Sequence, residues 1–317
     1  MKILLSVLAA IFTVSFLSSC NDSGPEMKGK IGVTCMDLTN PFFKLIANVM
    51  TEEAAKYGYE VVALDGANEP GKQNSQLKDF AAQGYDAVFL NPVDSRAVGE
   101  GVKGLHEVGI PVFTFDIQVE DPTAKDLVVH HIGSDNFQGG QLAGASMMQA
   151  TDDSGKIAIL GLPEVSSCIL RVQGFKDHLA KNNSKLEIVT ELSGGGNRND
   201  GFAVANDILQ AHPDIVGIFA INDPSALGAH AAVTKAGRAD SIKIVAFDAS
   251  PAGKQGVFEK KLVDTPQQFP RKMALGTVNA FIKHLEGEDL PKSVFIPCEH
   301  YLYETSLTDD SRINEQW

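Results

Sequence analysis

DAVFLNPVDSRAVGEGVKGLHEVGIPVFTFD, residues 86–116, opens on an apolar β-branched run, passes through an amphipathic helix-period segment and closes on a second apolar run. A change of period from 2 to 3.6 and back reads as strand, helix, strand. The stretch 215–248, IVGIFAINDPSALGAHAAVTKAGRADSIKIVAFD, repeats that layout. In the first copy one strand ends at Asn91 and the next, 25 residues on, ends in Phe115-Asp116; in the second the ends fall near Asn222 and, 26 residues on, at Phe247-Asp248. Each unit thus delivers a polar side chain to the carboxyl end of its strand, where open α/β sheets bind ligands. Two such edges facing each other would line one cleft with Asn, Asp, Asn and Asp. A single Asn or Asp at a strand end is equally a turn or N-cap residue; it is the matched pairs that point to a site.

Working outward, strand-like runs occur at 30–35 (KIGVTC), 59–64 (YEVVAL), 86–90 and 110–115, and again at 156–160 (KIAIL), 186–192 (LEIVTEL), 215–221 and 242–247, with helical segments between them. The acidic, proline-containing stretch 116–128 separates the two sets. Alternation of this kind predicts parallel sheets covered by helices on both faces, here as two successive α/β lobes of Rossmann-like (flavodoxin-like) type. The length of 317 residues fits about two domains at roughly 150 residues each. An apolar content of 44% with 21% charged residues is ordinary globular composition and excludes disorder, collagen and coiled coil. The net charge of −13 argues against an electrostatic nucleic-acid binder.

Residues 1–20, MKILLSVLAAIFTVSFLSSC, carry one Lys, an apolar run and small residues ending in Cys20, the pattern of a secretory signal. Leu17-Ser18-Ser19-Cys20 resembles a bacterial lipobox, which implies a signal peptide over 1–19, a lipid on Cys20 and a short polar tether over 20–29. Several acyl chains give stable membrane anchoring. The folded part is therefore expected outside the cytoplasm, periplasmic or at the cell surface.

Asn40-Pro41-Phe42-Phe43 follows the first strand and opens a helix, with Asn40 suited to the N-cap and Pro41 to the first helical position. The adjacent rings of Phe42 and Phe43 suit either the C–H face of a sugar or the core. Ser166-Ser167 is expected to cap a helix with Arg171 in its first turn, where the helix dipole disfavours a cation and a guanidinium fork for ligand oxygens is the better explanation. Residues 66–73 nearly spell a P-loop, but Gln73 replaces the Ser or Thr that reaches magnesium, and Asp65 and Glu69 place negative charge where phosphate would sit. Gly194-Gly195-Gly196 lacks dinucleotide spacing and reads as a flexible loop. His130 and His131, adjacent on a strand, point to opposite faces and cannot share a metal. Cys35, Cys168 and Cys298, placed in a strand, near a helix start and in a late strand, read as free thiols, a Cys35–Cys298 bridge being the alternative. No arrangement of nucleophile and base is legible, and no catalysis, cofactor or metal is expected.

With these features in hand, the chain resembles the ribose-binding protein family of periplasmic solute receptors for ABC transporters. The likeness covers residues 29–305 and rests on TNPFF (39–43), NPVDSRAVG (91–99), FTFD (113–116), SDNFQGGQLAG (134–144), RVQGF (171–175), AHPDIVGIFAINDPSALGA (211–229) and IVAFDASPAG (244–253). It implies a non-enzymatic monomer that clamps one monosaccharide between lobes joined by a three-strand hinge and then meets the membrane permease. By the same resemblance the first lobe takes 30–134 with 268–297, and the second 135–267 with 298–317. The site carried across comprises Asn40, Phe42, Phe43, Asn91 and Asp116 from the first lobe, Arg171, Asn222, Phe247 and Asp248 from the second, and hinge-proximal Gln268. One departure stands out: the family commonly runs Asp-Arg where this chain has Asp116-Ile117, and an aromatic that some members place near 196–198 is missing. A branched alkane in place of a fork donor implies a sugar other than ribose, a deoxysugar or one with a less polar edge near Ile117 and Cys168. A receptor feeding a chemoreceptor or sensor kinase, or binding a furanosyl signal, is the alternative function, and an extracytoplasmic sugar enzyme a third.

Overall fold

A computed structural model describes residues 27–309 and Trp317; the expected signal peptide, Cys20 and most of the tether lie outside the described residues. The first lobe contains β1 (Gly29–Cys35), α1 (Pro41–Ala55), β2 (Tyr59–Asp65), α2 (Pro70–Gln83), β3 (Ala87–Leu90), α3 (Gly99–Glu107), β4 (Val112–Phe115) and β5 (His130–Ser134). The chain then enters the second lobe through α4 (Asn136–Ala150), β6 (Ser154–Gly161), α5 (Ser166–Lys181), β7 (Lys185–Ser193), α6 (Arg198–Ala211), β8 (Ile215–Ala220), α7 (Asp223–Lys235), β9 (Lys243–Val245) and α8 (Pro251–Phe258). Helix α9 (Pro270–Leu285) and β10 (Ser293–Ile296) return to the first lobe, and α10 (Tyr303–Ser306) packs on α8 in the second.

All strand pairs within the two sheets are parallel, in the order β10-β5-β4-β3-β1-β2 for one sheet and β7-β6-β8-β9 for the other. The alternation of side chains along each strand builds a core on each face. Phe89, Phe113 and Phe115 pack with α1 and α9, whereas Val88, Leu90 and Val112 pack with α2 and α3. In the second lobe Leu160, Ile218 and Ala220 face α6 and α7, while Ile157, Ile159 and Phe219 face α4 and α5. The rings of Phe175 and Phe219 stack at 4.5 Å there. Burying one such ring contributes about 1.5–3 kcal/mol, so each lobe holds its own strand ends rigidly.

The lobes are joined by three crossings: between β5 and α4, through 264–268, and from β10 through 299–302. The last two pair with each other, Asp264 with Leu302 and Gln267 with Glu299, in antiparallel bridges. Buried Asp264 pins the hinge, accepting from Ser146 Oγ at 2.6 Å and the Tyr301 N–H at 3.0 Å and sharing a 2.6 Å hydrogen bond with His300 Nδ1.

Several local readings change. Strand β9 stops at Val245, so Asp248 lies three residues past its end and is held by an isolated bridge to Gln267. Cys298 sits beyond the end of β10 and not within a strand. The N-cap of α5 is Val165; Ser166 and Ser167 are already helical, and Arg171 lies in the second turn. Cys35, Cys168 and Cys298 are buried free thiols, so the Cys35–Cys298 bridge is not made. His130 and His131 do part to different partners, Pro291 O and Thr114 Oγ1.

Candidate functional site

The carboxyl ends of the two sheets face each other across a cavity of about 90 Å3, room for several waters or one small polyol. Asn40, Phe42, Phe43, Asp116, Arg171, Asn222, Asp248 and Gln268 all line it. Asn91 and Phe247 do not; each lies one layer behind the wall.

Helix starts deliver the Asn residues. Asn40 accepts the Phe42 N–H at 3.0 Å with its side-chain oxygen, and Asn222 accepts the Ser225 N–H at 3.0 Å. Pro41 and Pro224 follow in the first turns, where a missing N–H costs nothing. Both Asn side chains therefore cap helices and line the cavity at once. Asn222 also donates to Gly196 O at 2.8 Å. Gly195 and Gly196 take φ of +62° and +68°, so the glycine run expected as a flexible loop forms a lip tied to Asn222.

The carboxylates sit on strained backbone. Asp116 has φ +60° and Asp248 φ +113°, conformations that non-glycine residues adopt rarely and at functional sites. Asn91 explains part of the first: its oxygen accepts the Met36 N–H at 3.0 Å, while its amide reaches Phe115 O at 3.3 Å and Asp116 Oδ2 at 3.4 Å. It is a bracket for Asp116 and not part of the cavity surface. Asp116 Oδ1, buried, has no partner among the described residues. Burial raises the Asp116 carboxyl to about 6, with Arg171 pulling it down and Asp248 pushing it further up.

Arg171 spends most of its fork on the protein. Nε donates to Asn136 Oδ1 at 2.8 Å, and Nη1 to Ile221 O at 2.7 Å and Asp248 Oδ1 at 3.1 Å. Its guanidinium lies 4.0 Å above the Phe247 ring, so Phe247 supports the cation from behind. Gly139 makes room for that ring, because a Cβ there would come within 2.5 Å of it. Nη2 forms no hydrogen bond among the described residues. Asp248 also accepts from Gln268 Nε2 at 2.7 Å and from the Asp223 backbone N–H. Burial raises its carboxyl while Arg171 holds it down. Gln268 Oε1 is left buried and unpartnered.

The wall thus presents two open acceptors, Asp116 Oδ1 and Gln268 Oε1, and an Arg171 nitrogen able to donate. Two rings set edge to face at 5.3 Å, Phe42 and Phe43, supply apolar surface. Ile117, Leu162, Val165 and Cys168 add a second apolar patch, and burial lifts the Cys168 thiol to about 11, which keeps it unreactive. Sequence reasoning missed Asp37, Asn68 and Asn197, which also line the cavity. Asn68 falls within the rejected P-loop stretch, at φ +59°. These residues occupy loops, where no periodicity marks them.

A sequence model described as the periplasmic binding protein domain matches residues 31–289. The chain is 34% identical over 282 residues to the ribose import binding protein RbsB of Escherichia coli (strain K12), covering 89% of this chain and 93% of that one. It is 31% identical over 291 residues to the D-ribose/D-allose-binding protein of Pseudomonas aeruginosa, covering 89% and 90%. Among solved structures, an ABC transporter solute binding protein from Agrobacterium vitis with bound D-fucose superposes with a TM-score of 0.84 at 25% identity, covering 91% of this chain and all of that one.

Proposed function

Since this chain belongs to the periplasmic binding protein family, whose members bind solutes and do not transform them, we propose that it encloses one monosaccharide between its lobes and delivers it to an ABC-type importer. The observation that carries this reading is the set of unpaired groups in the inter-lobe cavity, Asp116 Oδ1 and Gln268 Oε1 as acceptors with Arg171 Nη2 as donor. Buried acceptors left unpaired cost about 1–3 kcal/mol each, and sugar hydroxyls relieve that cost. Phe42 and Phe43 cover the C–H face of the ring. Neither lobe owns all the partners, so the lobes must close to complete the site. The lobes take 30–134 with 268–297 and 135–267 with 298–317. The chain acts as a monomer, held to the membrane by lipid on Cys20.

Ile117, with Leu162, Val165 and Cys168, makes one side of the cavity unable to donate from side chains other than a thiol. The ligand is accordingly a sugar with a less polar edge, a deoxysugar in preference to ribose, or a related polyol. D-fucose, found in the relative from Agrobacterium vitis, is a 6-deoxyhexose. Native mass spectrometry of gently purified protein, followed by a thermal-shift panel of pentoses, hexoses, deoxyhexoses and polyols, tests both levels. A deoxysugar is expected to give the largest shift. Ribose outperforming every other sugar overturns the deoxysugar assignment, and no shift with any sugar overturns the sugar reading.

A further inference from the structure

Helix α5 carries Cys168 and Arg171 into the cavity, yet it begins without a cap of its own: Val165 occupies the N-cap position and has no side-chain hydrogen bond to offer. A helix start leaves N–H groups in need of partners. Here the partner comes from the other lobe. Ser95, buried in the segment after β3, accepts the Ser166 N–H with its hydroxyl at 3.0 Å, and its own N–H donates to Glu164 O at 3.3 Å. In return the Ser166 hydroxyl accepts the N–H of Gln118, which follows Asp116 and Ile117 in the first lobe, at 3.2 Å. The Glu120 N–H holds Ser95 O at 2.6 Å and fixes the donor loop. These inter-lobe bonds lie outside all three chain crossings, so no covalent continuity keeps them together. They exist only while the lobes are shut.

We infer that Ser95 is a positioning residue, an N-cap lent by the first lobe to the helix that bears Arg171, and that it latches the closed form. Parting the lobes uncaps α5; closing them satisfies its first turn and brings Arg171, already paired with Asp248 in its own lobe, toward Asp116. Because the latch stabilises the closed state over the open one, it adds to apparent ligand affinity by population shift without touching the ligand. The encounter with ligand precedes closure, so the latch acts on escape.

The inference goes beyond the sugar-binding reading, though its readout rests on that reading. Ser95→Ala, compared with wild type by stopped-flow binding of the best sugar from the panel, is expected to raise koff roughly two- to thirtyfold, the range of a lost Ser cap, with kon unchanged. The ligand-free thermal midpoint is expected to stay at the wild-type value while the sugar-induced shift shrinks. Ser166→Ala, which keeps the N–H and removes only the return bond, should move koff in the same direction by less. A wild type that no sugar stabilises sinks the sugar reading and the latch together. A wild type stabilised no more than Ser95→Ala, or a Ser95→Ala protein whose ligand-free midpoint and kon both fall, sinks the latch alone.

Discussion

Two strand ends, one in each lobe, carry the same side chain into the same cavity and treat it differently. Asp248 is held at Oδ1 by Arg171 and Gln268, with the Asp223 backbone also favouring its charged form. Behind it, Asp223 is itself held by Thr265 Oγ1 at 2.5 Å and by Ser250 N and Oγ at 2.7 Å each. Asp116 has only the long contact from Asn91 on one oxygen and nothing on the other. The difference separates two duties that sequence cannot distinguish. One carboxylate organises the cation; the other keeps an acceptor open, which on the proposed reading serves a ligand hydroxyl.

The sharpest way to break the organised side is to remove its cation. Arg171→Met leaves Asp248 buried without its counter-charge, and breaking a buried pair from one side costs about 3–5 kcal/mol of stability. Sugar affinity is expected to fall on the order of a thousandfold, because the donor and the geometry of Asp248 disappear together. Denaturant unfolding and calorimetric titration measure the two losses, and a variant that binds within tenfold of wild type would place the donor elsewhere.

The waiting side should respond in the opposite sense in one respect. Asp116→Asn removes a charge-accepting hydrogen bond, with an expected affinity loss of about 10- to 100-fold. Yet in the closed form the carboxyl lies near 6, above its ordinary 3.8, so ionisation at neutral pH opposes closure without ligand. Relieving that opposition favours the closed form over the open one at pH 7. Weaker binding together with a larger closed fraction of the ligand-free protein, read by small-angle X-ray scattering, is the signature; an unchanged fraction would show that Asp116 is already satisfied without ligand.

The fold was legible because the β–α rhythm and the paired strand ends are written in periodicity, and the caps Asn40 and Asn222 announce themselves beside Pro41 and Pro224. What escaped depends on contacts distant in sequence. Phe247 and Asp248 leave the chain on different sides, the ring behind Arg171 and the carboxylate toward the cavity, at a positive-φ turn past the end of β9 that no periodicity marks. Asn91 shares its strand-end position with true wall residues; its oxygen is taken by the Met36 N–H and its amide by Phe115 and Asp116, partners distant in sequence. The cap of α5 comes from 71 residues earlier in the chain, beyond the reach of any local motif. Asp37, Asn68 and Asn197 are brought to the cavity by loop conformation, including left-handed backbone at Asn68 that a non-glycine residue does not advertise.

The smallest effect tests the comparison without a mutation. In the closed form burial raises the Asp116 carboxyl to about 6, so a fall from pH 7 to pH 5 takes it from mostly ionised to mostly protonated there. A group whose folded value is raised contributes stability that is complete below its unfolded value and lost as pH climbs through the folded one. With Asp116, the stability of the closed form therefore declines between about pH 4 and pH 6 as the carboxylate is forced to ionise in a buried place. Binding runs the other way: a hydroxyl donating to Oδ1 favours the ionised form and lowers its pKa, so the ligand must displace a proton at pH 5 and need not at pH 7. The affinity is expected to weaken by up to about tenfold over those two units, the share of ionised Asp116 that is lost. In Asp116→Asn that slope should flatten. A slope that persists in the variant would transfer the titration to the organised side of the cavity, to Asp248 or to Asp223, whose carboxyl is also raised by burial and by its neighbour Asp248.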